Sequence, residues 1–255
     1  DIEMPEMSGI QVLEELSTQE SPPAVIMLST LTQEGSEMTI RALELGAFDF
    51  IPKPEDGRMA DNLEKVKEAV VPIITALKRQ KATRLRILDK KFQKASKPVA
   101  PVKRPSTPVP RARVKTAAPV RSKSEIVGIG ISTGGPNALT QMIPMLPADI
   151  KVPILIVQHM PPMFTASLAS SLDKKSGLAV KEAADGDTIV PGTVFIAPGG
   201  KQMKIVAAAD GISRKIKITD DPPENSCKPS VDYLFRSIAQ HYVGRATGVI
   251  MTGMG

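Results

Sequence analysis

The stretch "IVGIGISTGGPNAL", residues 126–139, joins a short apolar run to a glycine-rich turn and then to residues that favour a helix. An apolar run of this length, bounded by a glycine turn, predicts a buried strand that leads into a helix of an α/β fold. The turn allows two interpretations. Its glycines could let the backbone cradle a phosphate, or the G-x-S-x-G spacing of Gly130, Ser132 and Gly134 could expose Ser132 as a nucleophile.

A second strand lies further along the chain. The run "VPILIVQ" (residues 152–158) follows the predicted helix and leads directly into His159. A strand–helix–strand unit of this length makes a right-handed crossover, so both strands end at the same edge of a parallel sheet. We therefore expect Ser132 and His159 to lie near each other. Histidine is the side chain suited to take a serine proton near neutral pH.

The stretch "TGVIMTGMG" (residues 247–255) predicts a third strand with a glycine loop at the same edge. Glycine lets backbone N–H groups approach a reacting carbonyl closely, so Gly253 and Met254 are candidates for an oxyanion-stabilising loop. Structural explanations remain open at this point, because Ser132 alone could cap a helix and His159 alone could hydrogen-bond to backbone.

Two known kinds of site fit these residues poorly. A dinucleotide site needs the G-x-G-x-x-G register and an acid at the end of the second strand, where this chain has Gln158 and His159. An α/β-hydrolase places its acid before its histidine, and here we expect the acid to come after His159.

The N-terminal region also alternates helical and strand patterns, which predicts a parallel sheet. Asp1, Ser29 and Lys53 each lie at the carboxyl end of a predicted strand, where ligand sites of such sheets form. A carboxylate can attack phosphorus, while a hydroxyl and an ammonium group can hold the oxygens of the product. The joint pattern predicts a phosphoryl-accepting site.

The positive charge of the chain is concentrated in one segment. The net charge is +6, yet residues 94–124 alone carry nine Lys or Arg residues and no acid. The same segment has six prolines and no aromatic residue, which predicts an extended, flexible linker instead of a nucleic-acid-binding arm. We place the domain boundaries there, giving an N-terminal domain at 1–93 and a C-terminal domain at 125–255.

Composition excludes several other classes. No apolar run reaches the length of a membrane span, and the single cysteine, Cys227, cannot form an internal disulfide. Both observations fit a cytoplasmic protein. The chain has no initiator methionine, and its last strand runs into a glycine loop with nothing after it. We expect the sequence to be truncated at both ends.

The N-terminal motifs resemble a known family. "DIEMPEMSG", "IMLST" and "ALELGAFDFIPKP" are similar to the second half of a response-regulator receiver domain. The resemblance implies that Asp1 is the phosphoacceptor and a ligand of Mg²⁺, with the other acidic ligands missing. It also implies that Ser29 and Lys53 are the switch and phosphate-contacting residues, and that a chemotaxis histidine kinase is the phosphodonor.

The C-terminal motifs resemble a second family. "GIGISTGGPNAL", "VQHMPPMFTASLASSL" and "GVIMTGMG" are similar to the catalytic domain of chemotaxis protein-glutamate methylesterases. The resemblance implies that Ser132 is the nucleophile, that His159 is the base, and that Gly253 and Met254 belong to the active-site loop. It puts the triad Asp two residues beyond Gly255, so we expect the 255 residues alone to have little activity.

Together the two resemblances imply a fold class and a function. The expected fold is α/β, with a partial receiver-type doubly wound parallel sheet, a flexible linker and a truncated parallel-sheet esterase domain. The expected activity is hydrolysis of glutamyl methyl esters on chemoreceptors, with possible glutamine deamidation, no cofactor for the esterase and control by receiver phosphorylation. The alternative is a non-enzymatic response regulator with a nucleotide- or protein-binding output domain.

Overall fold

The computed structural model describes residues 1–54, 57–94 and 123–253. The predicted linker lies outside the described residues except for its first residue and its last two, and so does Met254. In the part of the chain that is described, no helix is long and apolar enough to cross a membrane.

The N-terminal region is a small α/β unit. Its helices and strands are α1 (Gly9–Ser17), β1 (Ile26–Ser29), α2 (Gln33–Glu44), β2 (Asp49–Pro52) and α3 (Met59–Lys94). Strands β1 and β2 pair in parallel with Ser29 opposite Pro52, so the segments that follow both strands leave the sheet at one edge. Ser8 begins α1 through a capping box with Gln11.

The C-terminal region is built on a parallel sheet. Its elements are β3 (Ile126–Ile131), α4 (Gly135–Met142), β4 (Ile154–Gln158), α5 (Phe164–Lys175), β5 (Ala179–Glu182), β6 (Thr193–Ile196), β7 (Gln202–Ala207), β8 (Arg214–Thr219), α6 (Val231–His241) and β9 (Ala246–Ile250). Five strands form the sheet in the order β5-β6-β4-β3-β9, and every pair is parallel. The predicted α/β architecture is therefore confirmed. The antiparallel hairpin of β7 and β8 was not predicted.

The two glycines inside β3 let α6 pack directly on the strand. A Cβ added at Gly128 would lie 2.7 Å from Cδ1 of Ile238, and one added at Gly130 would lie 2.5 Å from Cγ1 of Val231. Side chains at these positions would force α6 away from the sheet, because packed atoms do not approach so closely. These two glycines therefore serve helix–sheet packing, and the turn that follows them forms the site.

The N-terminal unit packs against α4 and α5 of the C-terminal unit. Phe50 of β2 stacks on Phe164 of α5, with ring centroids 4.5 Å apart and an interplanar angle of 22°. The buried hydroxyls of Ser36 and Ser167 lie 2.7 Å apart, and Nζ of Lys175 lies 2.7 Å from Oε1 of Glu44. The two units share one cluster of buried apolar side chains, so the receiver-like unit is held against the helices that carry the site.

Candidate active site

The nucleophile and base predicted from the sequence lie together at the carboxyl edge of the sheet. Strands β3 and β4 are direct neighbours, with Ile131 opposite Gln158, so Ser132 and His159 leave adjacent strands side by side. The Oγ of Ser132 lies 3.2 Å from Nδ1 of His159. This distance allows the hydroxyl to donate to a neutral imidazole whose hydrogen is on Nε2.

The environment of His159 favours its neutral form. Burial lowers the pKa of the imidazole from its ordinary value, because the charged form loses hydration. Its Nε2 is buried and has no hydrogen-bond partner among the described residues. The thiol sulfur of Cys227 lies 3.7 Å from Nδ1, on the side of the ring that faces Ser132. A neutral, half-buried imidazole next to a hydroxyl is suited to general-base chemistry.

The segment after β9 lies against the nucleophile. The N–H of Ser132 donates to the carbonyl of Thr252 at 2.9 Å, which ties the start of the nucleophile turn to this segment. A Cβ added at Gly253 would lie 2.6 Å from Cβ of Ser132, so only glycine permits the observed approach. Met254, the other residue predicted for this loop, lies outside the described residues.

A cleft of about 420 Å³ opens next to the Ser132–His159 pair. One wall comes from the ends of β3 and β9, and the other from the segment before α6. Its lining includes Ser132, His159, Asn225, Cys227, Ser230 and Gly253. The amide of Gln202, which is fully buried, holds the second wall by accepting from the N–H of Ser230 at 2.8 Å. The Ser132–His159 pair is therefore reached through this cleft.

One residue of the N-terminal unit reaches the turn that follows the nucleophile. Oδ2 of Asp49 accepts from the N–H of Gly134 at 3.0 Å, and Gly134, in a left-handed conformation, caps α4 without a side-chain hydrogen bond. Asp49 is buried, and this burial raises the pKa of its carboxyl although the N–H groups of Gly134 and Phe50 act in the opposite direction. The receiver-like unit therefore contacts the active-site turn directly.

The predicted phosphoryl-accepting residues are only partly brought together. Nζ of Lys53 lies 2.6 Å from Oδ2 of Asp1, and both side chains are about one-third exposed. The Oγ of Ser29 is buried and engaged elsewhere: it accepts from Thr39 at 2.6 Å and donates to the carbonyl of Gly35 at 3.1 Å.

The described residues do not by themselves form a Mg²⁺ site. No cluster of three or more His, Cys, Asp or Glu side chains able to hold a metal ion occurs within the ranges that the structure describes. Asp1 is the predicted ligand, and its carboxylate is engaged with Lys53 and with the N–H of Ile2. This set of donors does not match what the ion requires, which is six oxygen ligands in an octahedral arrangement.

Three residues of the site were missed or undervalued at the sequence level. From the sequence, Gln158 counts only as evidence against ribose binding and Cys227 only as an unpaired thiol, and Asp49 has no predicted role. Gln158 could have been suspected, because a polar side chain at the end of a buried strand needs hydrogen-bond partners. The position of Asp49 depends on docking between two units, and no local pattern encodes that contact.

Comparisons with known proteins identify the family of each unit. A family model for the CheB methylesterase matches residues 127–255, and a model for the response regulator receiver domain matches residues 1–65. Two relatives named protein-glutamate methylesterase/protein-glutamine glutaminase are similar over the whole of this chain. The protein of Desulfotalea psychrophila is 55% identical, and the protein of Bacillus subtilis is 42% identical. In both cases the match covers 100% of this chain and 68% of the relative.

A solved structure matches the C-terminal unit. The CheB methylesterase catalytic domain of Thermotoga maritima is 44% identical, with a TM-score of 0.50, over 52% of this chain and 69% of that domain. The sequence similarity to the relatives covers both units in the same order, and this identifies the family more specifically than either motif alone. The chain belongs to the CheB protein-glutamate methylesterase family, with a receiver domain preceding the esterase domain.

Proposed function

We propose that this protein hydrolyses γ-glutamyl methyl esters on chemoreceptors through an acyl-enzyme formed on Ser132. The observation that carries the proposal is the 3.2 Å approach of Ser132 Oγ to Nδ1 of His159, beside an open cleft. Membership of the CheB family supports an enzyme over a non-enzymatic output domain, because the relatives are named for this activity.

The first step would be attack by Ser132 on the ester carbonyl of the glutamyl side chain. His159 takes the hydroxyl proton on Nδ1, and the new C–O bond turns the carbonyl oxygen into an oxyanion. Because burial lowers its pKa, the imidazole is already neutral and ready to accept that proton near neutral pH. The backbone at Gly253, in contact with Ser132, is the candidate source of an oxyanion donor together with Met254.

The remaining steps release methanol and then the free carboxylate. His159 returns its proton to the methoxide oxygen as the C–O bond of the ester breaks, and water activated by the same imidazole then cleaves the acyl-enzyme. With a glutamine side chain the leaving group is ammonia, so the same residues would serve deamidation. Neither reaction needs a metal or an organic cofactor at the esterase site.

The predicted triad acid would orient the base. The resemblance puts this Asp two residues beyond Gly255, and a carboxylate there could accept the hydrogen of His159 Nε2. The lack of any partner for that buried nitrogen among the described residues supports the prediction. A buried N–H without a hydrogen-bond acceptor lowers the stability of the folded protein. A carboxylate would accept this hydrogen bond and hold the imidazole in the required tautomer.

Regulation by the receiver would act through the contacts of β2. This four-residue strand carries Asp49 and Phe50, which contact the esterase unit, and it leads into Lys53, which pairs with Asp1. A phosphoryl group on Asp1 would compete for Lys53 and change the end of the same strand. Weaker packing of the receiver unit on α4 and α5 would then expose the carboxyl edge of the esterase sheet.

The partners and location follow from this function. The expected phosphodonor is a chemotaxis histidine kinase, the substrates are methylated chemoreceptors and the compartment is the cytoplasm. Mg²⁺ is expected for receiver phosphorylation, and Asp1 alone among the described residues would contribute a ligand to it.

The central test compares substitutions of the two proposed catalytic residues in the complete gene product. Ser132→Ala should abolish both labelling by a serine-reactive phosphonate and methanol release from methylated receptors, because no other group replaces the attacking oxygen. His159→Gln should reduce both by about 10⁴-fold or more.

Matched controls use residues of the same type outside the site. Ser170→Ala, at an exposed position of α5, and His241→Gln, at the end of α6, should each leave labelling and methanol release near the wild-type values. Wild-type methanol release by the Ser132→Ala protein would disprove the proposed function.

A further inference from the structure

Gln158 is a buried amide that contacts both sides of the proposed catalytic pair. It is the last residue of β4, its side chain is 1% exposed, and it directly precedes His159. Its Nε2 donates to the main-chain carbonyl of Ser132 at 3.1 Å and to that of His159 at 3.2 Å. One side chain thus links the turn that carries the nucleophile to the turn that carries the base.

The orientation of this amide follows from its partners. Both contacts are made with carbonyl oxygens, which can only accept hydrogen bonds, so the NH₂ group must face them. The opposite orientation would place the side-chain oxygen against two other oxygens. The link therefore depends on a group with two N–H donors, which no apolar side chain of similar size can supply.

The other end of the amide argues against a purely structural role. Oε1 of Gln158 is buried without a hydrogen-bond partner in the described part of the chain, and it lies 1.9 Å from where a Cβ of Gly135 would be. An unpaired buried acceptor costs about 1–3 kcal/mol. A methionine would fill the same space without that cost, which offsets the two hydrogen bonds that it would lose, so stability alone gives little reason to have glutamine here.

The link acts at the point where β3 and β4 diverge. The last main-chain bond between them there runs from the N–H of His159 to the carbonyl of Ile131, at 3.2 Å. Beyond it, Ser132 enters the turn to α4, whose Gly135 N–H also binds the Ser132 carbonyl at 2.7 Å. The amide of Gln158 extends the connection by one residue on each strand, and those residues are Ser132 and His159.

We propose that Gln158 is a positioning residue that sets the distance between Ser132 Oγ and His159 Nδ1. The inference rests on the proposed function, since it assigns a role within the same reaction. Gln158 acts through the two main-chain carbonyls, not on the substrate. Its loss lets the two turns move relative to each other, while the segments after β9 and before α6 that also line the cleft keep their positions.

The test is Gln158→Met in the complete gene product, with Gln141→Met on the exposed face of α4 as the matched control. We expect kcat for methanol release to fall about 10- to 100-fold, because a displacement near 1 Å costs up to about 10²-fold in rate. KM should stay within about twofold, and phosphonate labelling of Ser132 should slow in parallel with kcat. The control should match the wild type in all three measurements.

Thermal unfolding separates positioning from stability. The midpoint for Gln158→Met should lie within a few degrees of the wild type, because the lost hydrogen bonds are offset by removal of the unpaired oxygen. If this variant fails to fold, Gln158→Leu takes its place with the same expectations. An unchanged kcat, or a raised KM with unchanged kcat, would overturn the inference.

The Ser132→Ala protein keeps the two proposals distinguishable. If Ser132→Ala is inactive while Gln158→Met has wild-type kcat, only the role of Gln158 is wrong. If Ser132→Ala retains full activity, the proposed function itself fails.

Discussion

Gly253→Ala should displace the nucleophile while leaving its chemistry intact. An added Cβ would lie 2.6 Å from Cβ of Ser132, 3.2 Å from its N and 3.3 Å from its Cα. Ordinary contact begins near 3.4 Å, so the two Cβ atoms must separate by about 0.8 Å. Neither partner can relieve the contact by rotating a side chain, because every atom involved is backbone or Cβ.

The rate cost follows from the geometry of the pair. A shift of this size away from the imidazole would lengthen the Oγ–Nδ1 distance from 3.2 Å to about 4 Å, beyond hydrogen-bond range. Misplacement near 1 Å costs up to about 10²-fold in rate, which corresponds to about 2.7 kcal/mol of activation free energy. We therefore expect kcat for methanol release to fall by about two orders of magnitude.

The assay combines methanol release from a methylated receptor with phosphonate labelling of Ser132, which requires no receptor docking. Gly248→Ala is the matched control, since Gly248 lies on β9, the strand that leads to Gly253, and its added Cβ would meet Phe235 at 3.3 Å, a smaller overlap. The control should keep kcat within about threefold. If folded Gly253→Ala did the same, the segment after β9 would be free to move and the reasoning would be refuted.

Two other predictions concern protonation and the interface. In the 255-residue chain burial lowers the pKa of His159, and only the neutral imidazole can act as base, so the rate of phosphonate labelling of Ser132 should rise with pH along a limb whose midpoint lies below about 6.5. A midpoint above that value in a profile from about pH 5 to about pH 8 would contradict this. Glu44→Lys places a second cation opposite Lys175 and removes the contact with Ser171, which weakens the interface between the receiver unit and α5. We therefore expect the activity of the unphosphorylated protein to rise about fivefold. Adding Lys175→Glu should reverse most of that gain, and a double variant as active as the single one would mean that this ion pair does not hold the receiver in place.

Local patterns predicted much of the fold, and they failed where contacts are distant in sequence. The apolar runs before Ser132 and His159 were recognised as parallel strands because buried strands in α/β proteins are continuously apolar. The hairpin of β7 and β8 was missed, although its strands alternate buried and exposed positions over part of their length. Its turn contains Asp210-Gly211, a pair that favours hairpins, but six residues (208–213) separate the two strands, whereas the tight hairpins that this pair marks have two-residue loops.

The residues of the candidate site also fall into two groups, those that local patterns predict and those whose contacts are distant in sequence. Ser132, His159 and Gly253 were predicted because each follows a strand, and strands connected by right-handed crossovers end at one edge. The roles of Gln158 and Asp49 were not predicted, because their partners are carbonyl and N–H groups of other segments. Main-chain groups carry no sequence signal, so such contacts become visible only when the chain has folded.

The sequence by itself determined the class of fold, the two units and the candidate nucleophile and base, since hydrophobic periodicity and handedness limit where strand ends can lie. Only the tertiary structure decided that β4 and β9 flank β3 and that a glycine backbone touches Ser132. It also decided that a buried amide joins the two catalytic turns and that a receiver carboxylate binds the turn between the nucleophile and α4. The physical reason is that strand order, close packing and burial are set by the whole chain. The chemistry at this edge responds to changes of about a few tenths of an ångström in the distances between reacting atoms, and packing controls distances on that scale.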